Sequence, residues 1–218
     1  DQILEILEPI YQESGAYSDL ATIYEASLVA IEDPDRRKET LLKLAEVWAQ
    51  NLGEGVTALG WFGKALELDP GDEILEMQID ELAASVSAWE SLLSIQLTAA
   101  QACDNNERKI ALWHKAVQSA RDRIGDYEKA EAICKWILEL NDSDALALAD
   151  LDRMYLSQGR DADLLAILKR EVEVAEYDDD KIKFLMRAGT LQRDKLDDLE
   201  GAIESFAHVV RIDEMQLQ

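Results

Sequence analysis

Apolar residues recur along this chain at the spacing of a helix face. Leu41, Leu44, Ala45 and Trp48 fall at i, i+3, i+4 and i+7, and Leu4, Leu7 and Tyr11 follow the same spacing with Glu8 as the exception. No segment alternates with period two, so no strand is predicted. Breakers at Ser14-Gly15, Asp33-Pro34, Gly53-Glu54-Gly55, Pro70-Gly71, Gly125-Asp126, Asn141-Asp142-Ser143 and Gln158-Gly159 cut the pattern into helices of roughly 12–16 residues.

The pattern repeats. Leu68-Asp69-Pro70, Leu140-Asn141-Asp142 and Ile212-Asp213-Glu214 recur at one constant spacing, and the register holds without gaps between them. Leu20, Leu92 and Leu164 share a column, as do Ile23, Ile95 and Ile167, and Ala58, Ala130 and Ala202. Other columns keep apolar character without identity: Ile10, Leu82 and Met154; Phe62, Cys134 and Phe206; Leu66, Leu138 and Val210. The expected organisation is one domain over 1–218 built from units 1–72, 73–144 and 145–216, each with four helices in two hairpins. A lone hairpin leaves its apolar face open, so stacking into an α-solenoid is predicted. Asp69, Asn141 and Asp213 are expected to cap or turn the chain between helices, and Asp180 or a neighbour to cap a helix starting at Lys181. The small Ala58 column predicts close helix approach, with Phe62 and Phe206 filling the space beside it.

Three stretches carry a family resemblance. Gly125-Asp126-Tyr127-Glu128-Lys129-Ala130-Glu131-Ala132-Ile133 resembles the second-helix start of a tetratricopeptide (TPR) repeat. Ala58, Phe62, Ala65 and Leu68-Asp69-Pro70 look like that family's small-aromatic-small-proline ending, and Leu44-Ala45 with Trp48 resembles its first-helix packing set. The resemblance is good in 36–72 and 107–144 and weaker in 180–214, where Asp197 stands for the glycine. The hairpins in 1–33, 73–105 and 145–177 depart from the family's proline ending and repeat length. It implies an all-α, right-handed solenoid of about six helix-turn-helix hairpins whose first helices line a concave groove. Carried over by the packing residues, the groove candidates are Leu42, Glu46 and Ala49; Met77, Glu81 and Ala84; His114, Gln118 and Arg121; and Met186, Thr190 and Arg193. The family's Lys–Asn clamp for acidic C-terminal tails would fall at Leu42/Glu46, Met77/Glu81, His114/Gln118 and Met186/Thr190, none of which matches it. Met and Leu there suit an amphipathic helix.

Charge narrows the partner. The chain holds 46 Asp+Glu against 22 Lys+Arg, a net charge of −24, which argues against nucleic acid and anionic membrane surfaces. The acidity is distributed: the three units carry −10, −7 and −7. No Lys or Arg lies between Lys64 and Arg108, and Glu73, Glu76 and Asp80, with Glu81 beside them, form a helical strip. That strip is expected to carry an unneutralised negative potential, read either as a docking site for a basic peptide or as a solvated face. Toward Arg121, Arg153 and Arg193 the groove turns more basic.

Catalytic and metal patterns are not met. Gly63-Lys64-Ala65 fails as a phosphate loop, Gly53, Gly55 and Gly60 have no preceding strand, and His114 and His208 lie in different units. Asp178-Asp179-Asp180 lacks the glycine and glutamate of a calcium loop. Cys103 and Cys134 read as buried small hydrophobes and the five tryptophans as packing, with Trp61 the best fit to an aromatic that grips a ligand. No apolar run reaches the length of a membrane span. The chain opens at Asp1 without a leader pattern, which predicts an excerpt or processed product and, with no disulfide framework, a cytoplasmic setting. The expected function is a non-catalytic scaffold or adaptor that needs no cofactor or metal and binds a basic or amphipathic helical protein or peptide in the groove. The alternative is a spacer segment that self-associates through its solenoid ends.

Overall fold

The computed structural model describes residues 2–216, with side chains described for residue 4 and residues 6–213. Among the described residues there are twelve α-helices and no strand: α1 (Gln2–Ser14), α2 (Tyr17–Leu28), α3 (Pro34–Glu46), α4 (Gly55–Leu68), α5 (Glu73–Val86), α6 (Trp89–Ala102), α7 (Asn106–Gln118), α8 (Tyr127–Leu140), α9 (Ala145–Gln158), α10 (Asp161–Val174), α11 (Asp178–Asp194) and α12 (Leu199–Gln216).

The register of the repeat is written into the backbone. Positive φ occurs in two columns among the described residues: Gly15, Ser87 and Gly159 at 69°, 54° and 65°, and Gly53, Gly125 and Asp197 at 72°, 80° and 52°. Each of these residues follows a first helix and reverses the chain into the second, the left-handed geometry that helix C-termini favour. Before the second column the helix widens into a π-type turn. Val47–Asn51 continues α3 and Ser119–Ile124 continues α7 in this form. The end of α11 repeats the five-residue bond, with Leu196 N–H donating to the Leu191 carbonyl at 3.2 Å.

Side-chain caps recur in the same register. Asp33 and Asn105 each accept from the amide three residues on at 2.9 Å, and so do Asp72 and Asp144. These set the starts of α3, α7, α5 and α9. Asp69 and Asn141 make the turns between helices as expected, while the side chains that cap the next helices are those of Asp72 and Asp144. Asp69 and Asn141 stand at the C-terminal ends of α4 and α8. Asp213 lies inside α12, because Glu214-Met215-Gln216 lets the helix run on where Pro70 or Ser143 breaks it elsewhere. Asp178, Asp179 and Asp180 form the first turn of α11 rather than capping a later start, placing three carboxylates at the positive helix end.

The chain divides into two compact units, Asp1–Gly125 and Asp126–Gln218. In the first, α1 packs on α2, α2 on α3, α3 on α4, α4 on α5 and α6, and α6 on α7. Its core holds Leu20, Tyr24, Leu44, Leu59, Ile79 and Leu112, all essentially without solvent contact. In the second, α8 packs on α9, α9 on α10, α10 on α11 and α11 on α12, around Leu148, Leu151, Met154, Leu164 and Leu168.

Most expected columns are buried, including all of Leu20, Leu92 and Leu164 and of Ala58, Ala130 and Ala202. Ile23, Leu82 and Phe206 are half-buried, and Ile10 on α1 and Val210 on α12 face solvent. Close approach is made by glycine as well as alanine. A Cβ on Gly63 would stand 2.7 Å from Ile95 Cγ1, and one on Gly189 would stand 2.7 Å from the Phe206 ring. Phe206 thus fills the space over Gly189 of α11. Cys103 and Cys134 are both buried and not joined in a disulfide.

Candidate functional site

Two recesses lie at the same place in the repeat period, one in each unit. In the first unit, α5, α6, α7 and the π-type turn enclose about 330 Å³. Ala84, Leu92, Gln96, Gln118, Ser119 and Asp122 are among its walls. In the second unit, α9, α10 and α11 enclose about 410 Å³. Leu156, Leu164, Leu168, Thr190, Leu191 and Asp194 stand at the corresponding positions there, each one period later. The chemistry diverges inside this shared shape. Ser119 donates to Gln96 Oε1 at 2.9 Å in the first recess, while leucines fill both positions in the second. The first recess is therefore of mixed lining and the more polar of the two, and the second is apolar. At the equivalent position of the first period the bulkier Tyr24 is buried in place of Gln96 or Leu168.

An ion pair between first helices also recurs. Lys43 pairs with Glu8 at 3.3 Å, Lys115 with Asp80 at 3.4 Å, and Arg187 with Asp152 through two bonds at 2.6 and 2.7 Å. The acids stand one period apart, and so do the bases. Burial pushes the Asp80 carboxyl up, and Lys115 works against that rise.

These pairs correct the reading of residues 64–108 as unneutralised. Glu76 is 2% exposed and pairs with Arg108 and Lys115 of α7. Lys38 of α3 holds Asp69 and Asp72, each at 2.7 Å. The neutralising bases come from helices outside that stretch of sequence. Glu73 and Glu81 do face solvent, whereas Asp80 is half-buried beside Lys115.

The groove candidates separate in the same way. Met186 is 45% exposed and, with Thr190, lines the apolar recess, while Gln118 lines the more polar one. Met77 is 56% exposed, Glu46 and Glu81 are exposed, and Leu42 and His114 are half-buried. Arg121 and Arg193 each bond the next residue, Asp122 and Asp194, so neither stands as an isolated positive charge. Arg153 lies 3.6 Å from Asp150. The expected basic end of the groove is therefore internally neutralised.

Trp61 is half-buried, with the Lys64 ammonium 3.9 Å above its ring. In the second unit Glu131 accepts from Tyr155 at 2.9 Å and is clamped by Arg160, while Lys135 approaches to 2.7 Å. Burial alone would raise the Glu131 carboxyl, but these donors outweigh it and hold it at about 2. Among the described residues no cluster of three His, Cys, Asp or Glu has the arrangement of a metal site, and no helix is long and apolar enough to cross a membrane.

The recesses and the ion-pair column are what sequence reasoning missed. The columns Glu8/Asp80/Asp152 and Lys43/Lys115/Arg187 are legible as two stripes of constant sign within the repeat, but only when polar positions are aligned as the apolar ones were.

No protein-family model and no curated protein matches the chain. Among solved structures, the chain is similar to YrrB, described as a TPR protein with an unusual peptide-binding site. The identity is 18% and the TM-score 0.43, over 79% of this chain and 84% of that one.

Proposed function

We propose that this chain is a non-catalytic scaffold that binds a protein or peptide along the first-helix face of its hairpins. The carrying observation is the pair of recesses at equivalent places in the period, one of mixed lining and one apolar, with candidates Gln118, Met186 and Thr190 in their walls. Concave, partly apolar surfaces with a few placed polar groups are what peptide side chains occupy. The TPR-like residues noted in the sequence favour the same use. The excess of acid across the surface favours partners rich in Lys and Arg. Peptide selection from a random displayed library tests this, with wild type, Met186→Glu and Gln118→Ala as baits at about 50 and 300 mM NaCl. Selected peptides should lose about tenfold or more in affinity on Met186→Glu with the fold intact. Peptides indifferent to both substitutions, or no enrichment at either salt, would overturn the reading.

A second reading, self-association, is supported by apolar side chains that α1 and α12 leave in solvent: Ile6 and Ile10 on one, Ile203 and Val210 on the other. The expected open ends fall partly on Asp1, Leu217 and Gln218, which lie outside the described residues. Sedimentation over a wide concentration range tests it; a constant monomer mass would remove it.

A further inference from the structure

In the second unit, α9, α10 and α11 meet around another recess, of about 450 Å³. Leu148, Val174, Tyr177 and Phe184 form its apolar wall, and Glu171 and Asp180 add carboxylates. Glu171 is only 7% exposed, and its Oε2 has no hydrogen-bond partner. Burial, and then the charge of Asp152 on α9, push this carboxyl up to about 7, against the pull of Arg187 and Lys183 on α11. A buried carboxylate left without a donor costs stability. The repeat does not demand it, since Ser27 and Ala99 hold the same position in the earlier periods.

The earlier periods show what this place in the fold accommodates. In the second period it is filled from within. Arg108, one period before Asp180, sends its guanidinium to the buried Glu76 and to the Pro70 carbonyl at 2.8 Å. Glu76 stands one period before Leu148, so both recess walls correspond. In the first period Arg36 holds that position and lines a smaller recess of about 190 Å³ with Leu4, Ser27 and Thr40. In the third, Asp180 replaces the arginine, while a buried carboxylate remains, now contributed by α10 as Glu171. The Asp142 carbonyl, counterpart of that of Pro70, accepts from Arg170 at 2.7 Å. The counterpart of the carbonyl that holds Arg108 is thus engaged within the chain, and the Glu171 carboxylate, from a different position of the period, is left without a donor.

We propose that this recess is a socket for a guanidinium group and takes an arginine side chain presented by a partner protein. The methylene stem lies against Leu148 and Phe184, and the planar cation meets Glu171, with the exposed Asp180 adding negative potential. That the arginine belongs to a protein rests on the scaffold reading above; the socket's chemistry does not.

The test is an NMR titration with N-acetyl-arginine methylamide and, as the neutral isostere, its citrulline counterpart. The arginine probe should shift the Leu148 and Val174 methyl signals at millimolar concentration, and the citrulline probe should not. Glu171→Gln should weaken the arginine probe about tenfold or more. Asp180→Arg, which rebuilds the arrangement of Arg108, should fill the socket from within and block the probe. Equal response to both probes, or an arginine affinity unchanged in Glu171→Gln, would overturn the proposal. Should Glu171→Gln fail to fold, Asp180→Arg decides alone: retained binding overturns the socket and lost binding supports it. Failure here leaves the peptide-selection result standing, and failure of that selection leaves the socket's cation preference standing.

Discussion

Asp152 on α9 and Arg187 on α11 hold each other through two parallel hydrogen bonds, at 2.6 and 2.7 Å. This is the tightest member of a series of three, the others being Glu8–Lys43 and Asp80–Lys115 at 3.3 and 3.4 Å. It differs from them because arginine presents a rigid fork where lysine presents a point charge. Arg187 also faces Glu171, so one cation serves two carboxylates. Arg187→Gln should therefore cost about 2–4 kcal/mol at pH 8, somewhat below a fully buried pair because part of its side chain is in solvent. Lys43→Gln should cost about 0.5 kcal/mol. Urea unfolding of both variants measures the contrast.

Glu171 and Glu131 impose opposite pH dependences. Burial raises Glu171 from 4.5 to about 7 in the folded chain. The folded state then holds the extra proton across that window, so its contribution to stability declines as pH rises from about 4.5 to about 7. Glu171→Gln should remove that decline and be worth about 2–3 kcal/mol more at pH 8 than at pH 5. Glu131, held at about 2 in spite of its burial, gives stability that is full above 4.5 and is lost as pH falls toward 2. Melting curves of wild type, Glu171→Gln and Glu131→Gln from pH 3 to pH 8 separate the two windows.

Two glycines of α4 should respond with opposite signs. A Cβ on Gly60 meets nothing within 4 Å, so Gly60→Ala should gain about 0.5–1 kcal/mol from helix propensity. A Cβ on Gly63 would stand 2.7 Å from Ile95 Cγ1, and Gly63→Ala should lose about 1–3 kcal/mol through overpacking. Denaturant midpoints of the two variants check the pair.

The left-handed columns make a similar test. Ser87 and Asp197 adopt positive φ without being glycine, at 54° and 52°. Replacing either with glycine should gain about 0.5 kcal/mol, after the added entropy of the unfolded chain, whereas Gly125→Ala should lose about 1 kcal/mol. Equal responses at the three sites would contradict a shared turn geometry.

The helices and their period were legible because apolar spacing is a local property and the register runs without gaps. Leu92 and Ala130 lie in the core where their columns placed them. Pairing was not legible where it depends on residues far along the chain. Glu76 read as part of an open acidic strip because Arg108 and Lys115 reach it from another helix. The turns at Asp69 and Asn141 were legible, but Asp69 and Asp72 both suit a cap, and only the helix axis decides which of them meets the amide of Leu75. The recesses were out of reach for a different reason. They are set by side-chain volume, as Tyr24 against Gln96 and Leu168 shows at one position of the period.

The most direct test of the scaffold account is a methyl-NMR map of this chain with a selected peptide bound. Perturbations should centre on Met186, Leu156 and Leu191 in the second unit and around Leu92 and Val117 beside Gln118 in the first. Perturbations confined to the exposed faces of the second helices, with those signals unmoved, would contradict it.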